Sequence, residues 1–160
     1  MTVTFTLNGK QVTIDTIPGK RLADVLKEDF ALPATRPGCY AGVCGTCAVI
    51  VNGELAHSCL IPAFAIQDAE VLTGEGLEGT REFDEILSGF EHAGYRPCAN
   101  CRQSKLLTAY VLLTLNPNPE RANIDEWFAD QKCSCSSLTD IYKAIDYIVL
   151  HRRSASRGRK

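Results

Sequence analysis

Eight cysteines stand in this chain of 160 residues, and they fall into two sets of four. The first set is Cys39, Cys44, Cys47 and Cys59; the second is Cys98, Cys101, Cys133 and Cys135. Thiolates ligate soft metals, and pairs of thiols form disulfides, so either chemistry is open to such sets. The amino-terminal stretch MTVTFTLNGKQVTIDT has neither a basic segment nor an apolar run, so no secretory signal is expected. Nor does any apolar run approach the roughly 20 residues a membrane-spanning helix needs. A cytoplasmic location is the expectation, and disulfides are uncommon there. Eight thiols then point to metal ligation.

Within the first set, Cys39-x4-Cys44-x2-Cys47 has the plant-type [2Fe–2S] spacing, with Cys59 as a fourth thiolate further on. Three thiolates must reach two adjacent irons from one tight loop, which small residues allow. Gly38, Ala41, Gly42, Gly45 and Thr46 supply them in PGCYAGVCGTC. Bare N–H groups of such a loop can also donate to sulfur. A four-cysteine zinc site favours two C-x2-C knuckles, and this set has only one such pair. In the second set, Cys98-x2-Cys101 is followed far along the chain by Cys133-x-Cys135. That spacing leaves a zinc ion and an iron–sulfur cluster equally open.

The elements that must hold these thiols differ between the two halves. Thr2–Leu7 alternates polar and apolar residues, Asn8-Gly9 is a hairpin signal, and Gln11–Thr16 alternates again. Leu22, Val25 and Leu26 give Arg21–Phe30 a helical stripe. A second hairpin follows over Ala48–Val51, Asn52-Gly53 and Glu54–Ser58, with a further strand at Glu70–Leu72. Beyond Gly74, Gly76 and Gly79, which read as a linker, strand signals vanish. Helices are expected at Arg81–Ala93, Cys101–Leu115, Glu120–Asp130 and from Ser137 onward, where Ser137 and Asp140 form a capping pair. The fold class is therefore α+β, a small mixed sheet followed by a four-helix unit. The domains are expected at 1–76 and 80–150, and residues 151–160 at a basic, flexible tail. A docking arm for an acidic partner is the alternative reading of that tail.

Net charge is -2, hydrophobic residues are 45% and charged residues 22%, so the chain is globular and has no general attraction for nucleic acid or anionic lipid. No G-x-G-x-x-G, Walker loop or Ser-His-Asp set is present. His57, His92 and His151 are scattered and read as surface or partly buried histidines, and Tyr40 and Phe64 read as packing residues.

Taken together, GCYAGVCGTCAVIVNGELAHSCLIP, then CANC, then CSC before the last helix closely resemble one family: the iron–sulfur subunit of molybdenum hydroxylases of the xanthine dehydrogenase and aldehyde oxidoreductase type. The resemblance covers nearly the whole chain. It implies a β-grasp, plant-ferredoxin-like domain that holds one [2Fe–2S] cluster through Cys39, Cys44, Cys47 and Cys59. It implies a four-helix domain that holds a second through Cys98, Cys101, Cys133 and Cys135. The implied partners are a large molybdopterin-binding subunit beside the second cluster and a medium FAD-binding subunit towards the first; neither nucleic acid nor membrane is implied. The implied role is electron transfer within an oxidoreductase acting on purines, aldehydes or N-heteroaromatics, with no catalytic residue on this chain. A stand-alone ferredoxin-like carrier or a zinc-stabilised assembly factor is the alternative.

The departures from the family lie around the second set. Relatives usually carry a pterin-touching glutamine just before its first cysteine, where this chain has Pro97. Ala99 and Asn100 replace a small and aromatic pair, and Arg102, Gln103 and Ser104 replace Thr-Pro-Gly. Ser134, Ser136 and Ser137 replace the usual Arg, Thr and Gly around Cys133 and Cys135.

Overall fold

Two hairpins with matching tips build the sheet. Strands β1 (Thr2–Leu7) and β2 (Lys10–Asp15) turn at Asn8 and Gly9, with φ of 50° and 78°. Strands β3 (Ala48–Val51) and β4 (Glu54–His57) turn at Asn52 and Gly53, with φ of 51° and 86°. Positive φ at both central residues matches the right-handed twist of the strands, which is why Asn-Gly suits the turn. Strand β5 (Glu70–Leu72) joins the hairpins, parallel to β1 and antiparallel to β3, in the order β2-β1-β5-β3-β4. Helix α1 (Leu22–Glu28) lies across one face, burying Leu22, Val25 and Leu26 against Val3, Phe5, Val49 and Val71. This computed structural model describes residues 1–129, 131, 133–135 and 137–157.

The sheet is covered on its other face as well. Helix α4 (Arg102–Leu115) packs against β3 and β4, and Ile50 belongs to the helical core, with Leu55 and Leu72 packed on it. That explains why β3 reads as an unbroken apolar run, AVIV, instead of alternating. The helices α3 (Arg81–His92), α5 (Arg121–Phe128) and α6 (Leu138–Arg157) complete the second half. Their buried residues include Phe83, Ile86, Phe90, Ile124, Phe128, Ile141 and Ile148. Helix α4 lies centrally and is buried nearly all round, as expected of a helix with apolar residues on every side.

Three sequence expectations need correction. Gly74–Leu77 is a short helix, α2, with Leu77 buried, so these glycines are no free linker. A Cβ on Gly76 would strike the Asn8 carboxamide, and one on Gly74 would strike Gln103, so both glycines serve close approach. Second, the last helix runs on to Arg157, past the boundary set near residue 150. Arg152 anchors the extension, with its Nε and Nη2 donating to Glu85 Oε2 at 2.9 and 2.8 Å and its Nη1 to the Leu113 carbonyl at 3.3 Å. Third, Tyr40 and Phe64 are 40% and 48% exposed, so they do not fill a core. Of the positions singled out above, Asp130, Ser136 and residues 158–160 lie outside the described residues.

Candidate metal centres

The loop carrying Cys39, Cys44 and Cys47 is anchored before it begins. Glu75 accepts from the Ala34 N–H at 2.7 Å and from the Thr73 hydroxyl at 2.7 Å, so α2 holds the start of the loop. Three left-handed residues, Tyr40 (φ 53°), Gly42 (φ 70°) and Gly45 (φ 73°), then curl the chain. Leu60 fills the space where a side chain on Gly42 would stand, 2.5 Å from a Cβ there. The curl turns the N–H groups of Ala41, Val43 and Cys44 towards Cys39 Sγ, at 3.4, 3.3 and 3.4 Å. Successive N–H groups aimed at one point form an anion-binding nest. They pull the Cys39 thiol down to about 6, so the thiolate is its resting form at neutral pH.

The thiols of this set sit in two pairs. Cys39 interacts with Cys44, whose Sγ lies 3.1 Å from Thr46 Oγ1; Cys47 interacts with Cys59. Cys47 leads into β3, and Cys59 lies in the 3-10 turn Ser58–Leu60 that follows β4. Ser58 closes the two elements together, donating from N–H and hydroxyl to the Cys47 carbonyl at 3.1 and 2.8 Å. Cys47 and Cys59 are both buried against Ala23 of α1, and burial pushes the Cys47 thiol up to about 11. Two pairs of thiols, with N–H donors on the exposed side, suit two irons that each take two thiolates.

The second set is tighter. The four sulfurs of Cys98, Cys101, Cys133 and Cys135 all lie within 4.8 Å of one another, the one such group of ligand-type side chains among the described residues. Cys98 Sγ lies 3.5 Å from Cys101 Sγ and 3.6 Å from Cys133 Sγ, and Cys101 Sγ lies 3.2 Å from Cys135 Sγ. Cys98 occupies the turn before α4, and Cys101 caps that helix at its first turn. The N–H groups of Cys101 and Asn100 lower the Cys98 thiol, whereas burial raises that of Cys101. All eight cysteines are free in the structure. The donor sets fit metal centres, and a sulfur-only set suits iron–sulfur or zinc.

Among the histidines, His92 and His151 are exposed and both stack with Tyr147, at 4.0 and 5.6 Å. His57 lines a cavity of about 290 Å³ between the sheet and α5, together with Trp127 and Gln131. Sequence reasoning passed over Lys105, a buried lysine one turn beyond Cys101 on α4. Its signal was legible: a lysine inside a stretch whose neighbours, Leu106 and Leu107, are core residues.

Comparison with known proteins assigns the cofactors. Residues 5–77 match the family described as a 2Fe-2S iron–sulfur cluster binding domain, and residues 73–146 match a second, described as a [2Fe-2S] binding domain. Fold and sites together define a two-cluster iron–sulfur protein. The chain belongs to the family of [2Fe–2S] subunits of the molybdenum hydroxylases. It is 34% identical to the nicotinate dehydrogenase small FeS subunit of Eubacterium barkeri, over 93% of this chain and 95% of that one. It is 30% identical to the nicotine 6-hydroxylase small subunit of Paenarthrobacter nicotinovorans, over 87% and 84%. The crystal structure of quinoline 2-oxidoreductase from Pseudomonas putida 86 superposes with a TM-score of 0.87 at 32% identity, over 99% of this chain and 97% of the other.

Proposed function

We propose that this chain relays electrons from a molybdenum-bearing partner subunit, through two [2Fe–2S] clusters, towards an FAD-bearing subunit or an external acceptor. Cys98, Cys101, Cys133 and Cys135 hold the cluster on the molybdenum side, and Cys39, Cys44, Cys47 and Cys59 hold the other. Each cluster, when bound, supplies reversible one-electron transfer. The chain's own groups do the rest. The N–H groups of Ala41, Val43 and Cys44 hold Cys39 as thiolate, and the apolar packing of Cys47, Cys59 and Ala23 excludes water from the inner side of the first site. The observation that carries this reading is the tight quartet of sulfurs in the helical half, together with two thiol pairs beside the sheet, in halves that pack across Ile50, Leu55 and Leu72.

Surface chemistry supports a subunit over a stand-alone carrier. Val43, Leu60 and Phe64 are about half exposed, at 58%, 55% and 48%, on segments that carry or follow the first set of cysteines. Exposed apolar residues grouped in this way mark surfaces that a partner covers. Near the second site, Arg96 and Arg102 line a cavity of about 600 Å³ with Glu91 and Pro97, a rim with one net positive charge that suits an anionic cofactor on the partner. Among the described residues, no helix is long and apolar enough to cross a membrane, and the proposed location is the cytoplasm. The holoenzyme's substrate belongs to the purine, aldehyde or N-heteroaromatic class, and its pocket lies on the partner.

Anaerobic purification followed by metal and sulfide analysis tests the reading. Two clusters require about four irons and about four acid-labile sulfides per chain. Zinc in place of iron at the tighter quartet would sink the relay and favour an assembly factor. Co-expression with flavin- and molybdopterin-binding chains should yield a complex, and a chain that stays alone would be a free carrier.

A further inference from the structure

Lys105 is 2% exposed, and a lysine is almost never buried so deeply without a partner for its charge. It sits one helical turn beyond Cys101, its N–H donating to the Cys101 carbonyl at 3.0 Å. Its ammonium lies 5.5 Å from the centre of the Tyr95 ring, which is itself buried and packed edge-on to Phe90 at 4.7 Å. Burial on its own pulls such an ammonium down. The face of the Tyr95 ring offsets part of that cost, as aromatic faces do for a desolvated cation. Side chains of a helix lean back over the preceding turn, and for Lys105 that turn begins at Cys101. A buried cation thus stands one helical turn from the tighter quartet, where little water screens it.

We propose that Lys105 is the fixed counter-charge of the second cluster site and raises that site's reduction potential. This deepens the relay reading and rests on the second quartet holding a [2Fe–2S] cluster. Four thiolates outweigh the positive charge of a two-iron core, so the loaded site is an anion and reduction adds one more negative charge. A buried ammonium stabilises the reduced form more than the oxidised one. In a mediated titration, one electron passes from the reduced mediator to the site, and no bond is made or broken. Lys105 makes that electron easier to accept from the molybdenum side. It is a positioning residue for charge, acting on the site from one turn along α4.

The test is a potentiometric titration of the full two-cluster protein, followed by electron paramagnetic resonance. The second-site signal is the one that survives in Cys59→Ser. In Lys105→Met, iron content and both signals should persist. The equilibrium for reducing the second site should fall about tenfold, which is about 59 mV for one electron, while the first site stays unchanged. Lys105→Arg, which keeps the charge, should stay near the wild-type midpoint. Should Lys105→Met fail to load iron, Lys105→Gln reads the same quantity with a polar, neutral side chain. An intact second signal with an unmoved midpoint in a neutral variant overturns the proposal. An equal drop in Lys105→Arg also overturns it, making Lys105 a packing residue. Loss of the second cluster from both neutral variants overturns it too, moving the lysine's role to assembly. A wild-type protein without iron at the second quartet would instead refute the relay reading itself.

Discussion

Gly89 of α3 and Ile148 of α6 meet with no side chain between their helices: a Cβ on Gly89 would lie 2.5 Å from Ile148 Cγ1 and 2.9 Å from the Ala144 carbonyl oxygen. The isoleucine could rotate away, but a helix carbonyl cannot. An extra methyl in a filled core costs about 1–3 kcal/mol, while alanine over glycine in a helix returns at most about 1 kcal/mol. Gly89→Ala should therefore lower the melting temperature by several degrees in a thermal scan of the loaded protein. A rise would mean that α3 and α6 sit further apart than described.

Because the two quartets are built from different elements, Cys59→Ser should abolish one paramagnetic signal and leave the other. The surviving signal belongs to the helical site. Ser58, which ties Cys59 to the Cys47 carbonyl, keeps its own bonds in this variant, so the sheet should stay folded. Loss of both signals from a folded protein would show that one site cannot assemble without the other.

The thiols of the first site should differ sharply in reactivity before metal is loaded. Cys39 is held near 6 by the N–H groups of Ala41, Cys44 and Val43, and Cys47 is held near 11 by burial. Iodoacetamide at pH 7, read by peptide mass spectrometry of the metal-free chain, should modify Cys39 first and Cys47 last. A lowered thiol pKa means that the fold favours the thiolate. Its contribution to stability is fully present above the ordinary thiol pKa of 9.0 and is lost as pH falls through about 6. Capture of Cys47 ahead of Cys39 would contradict the donor arrangement of the loop.

Pro97 lacks both a side-chain donor and a backbone N–H where relatives place a pterin-touching glutamine. A neutral hydrogen bond contributes only about 0.5–1.5 kcal/mol net. In the assembled complex, Pro97→Gln should keep both cluster signals and change turnover by less than about tenfold, the factor that 1.36 kcal/mol represents. Loss of the second cluster would show that the proline shapes the turn leading to Cys98.

Much of the fold was legible because its signals are local. Asn8-Gly9 and Asn52-Gly53 mark both hairpins, and the stripes on α1, α3 and α6 are regular. The loop around Cys39 was legible in its small residues, and the structure gives those residues their purpose in the three donors to one sulfur. What the sequence hides is contact between distant segments. Gly74 and Gly76 look like a linker until Gln103 and Asn8 are seen to occupy the space their side chains would need. Arg152 looks like the start of a basic tail until Glu85, 67 positions earlier, is found beside it.

The segment that clamps both sites has a mechanical meaning. Asn8 bonds to Thr73 through both ends of its carboxamide, Glu75 grips Ala34, and Gln103 reaches from α4 to Glu78 at 3.2 Å. One short stretch of chain therefore touches the first loop on one side and the start of the second site's helix on the other. Electron tunnelling falls off exponentially with the gap between centres, so a relay is only as steady as its spacing. Residues 73–78 act as a gauge block, and loosening that stretch would slow the current without disturbing a single thiol.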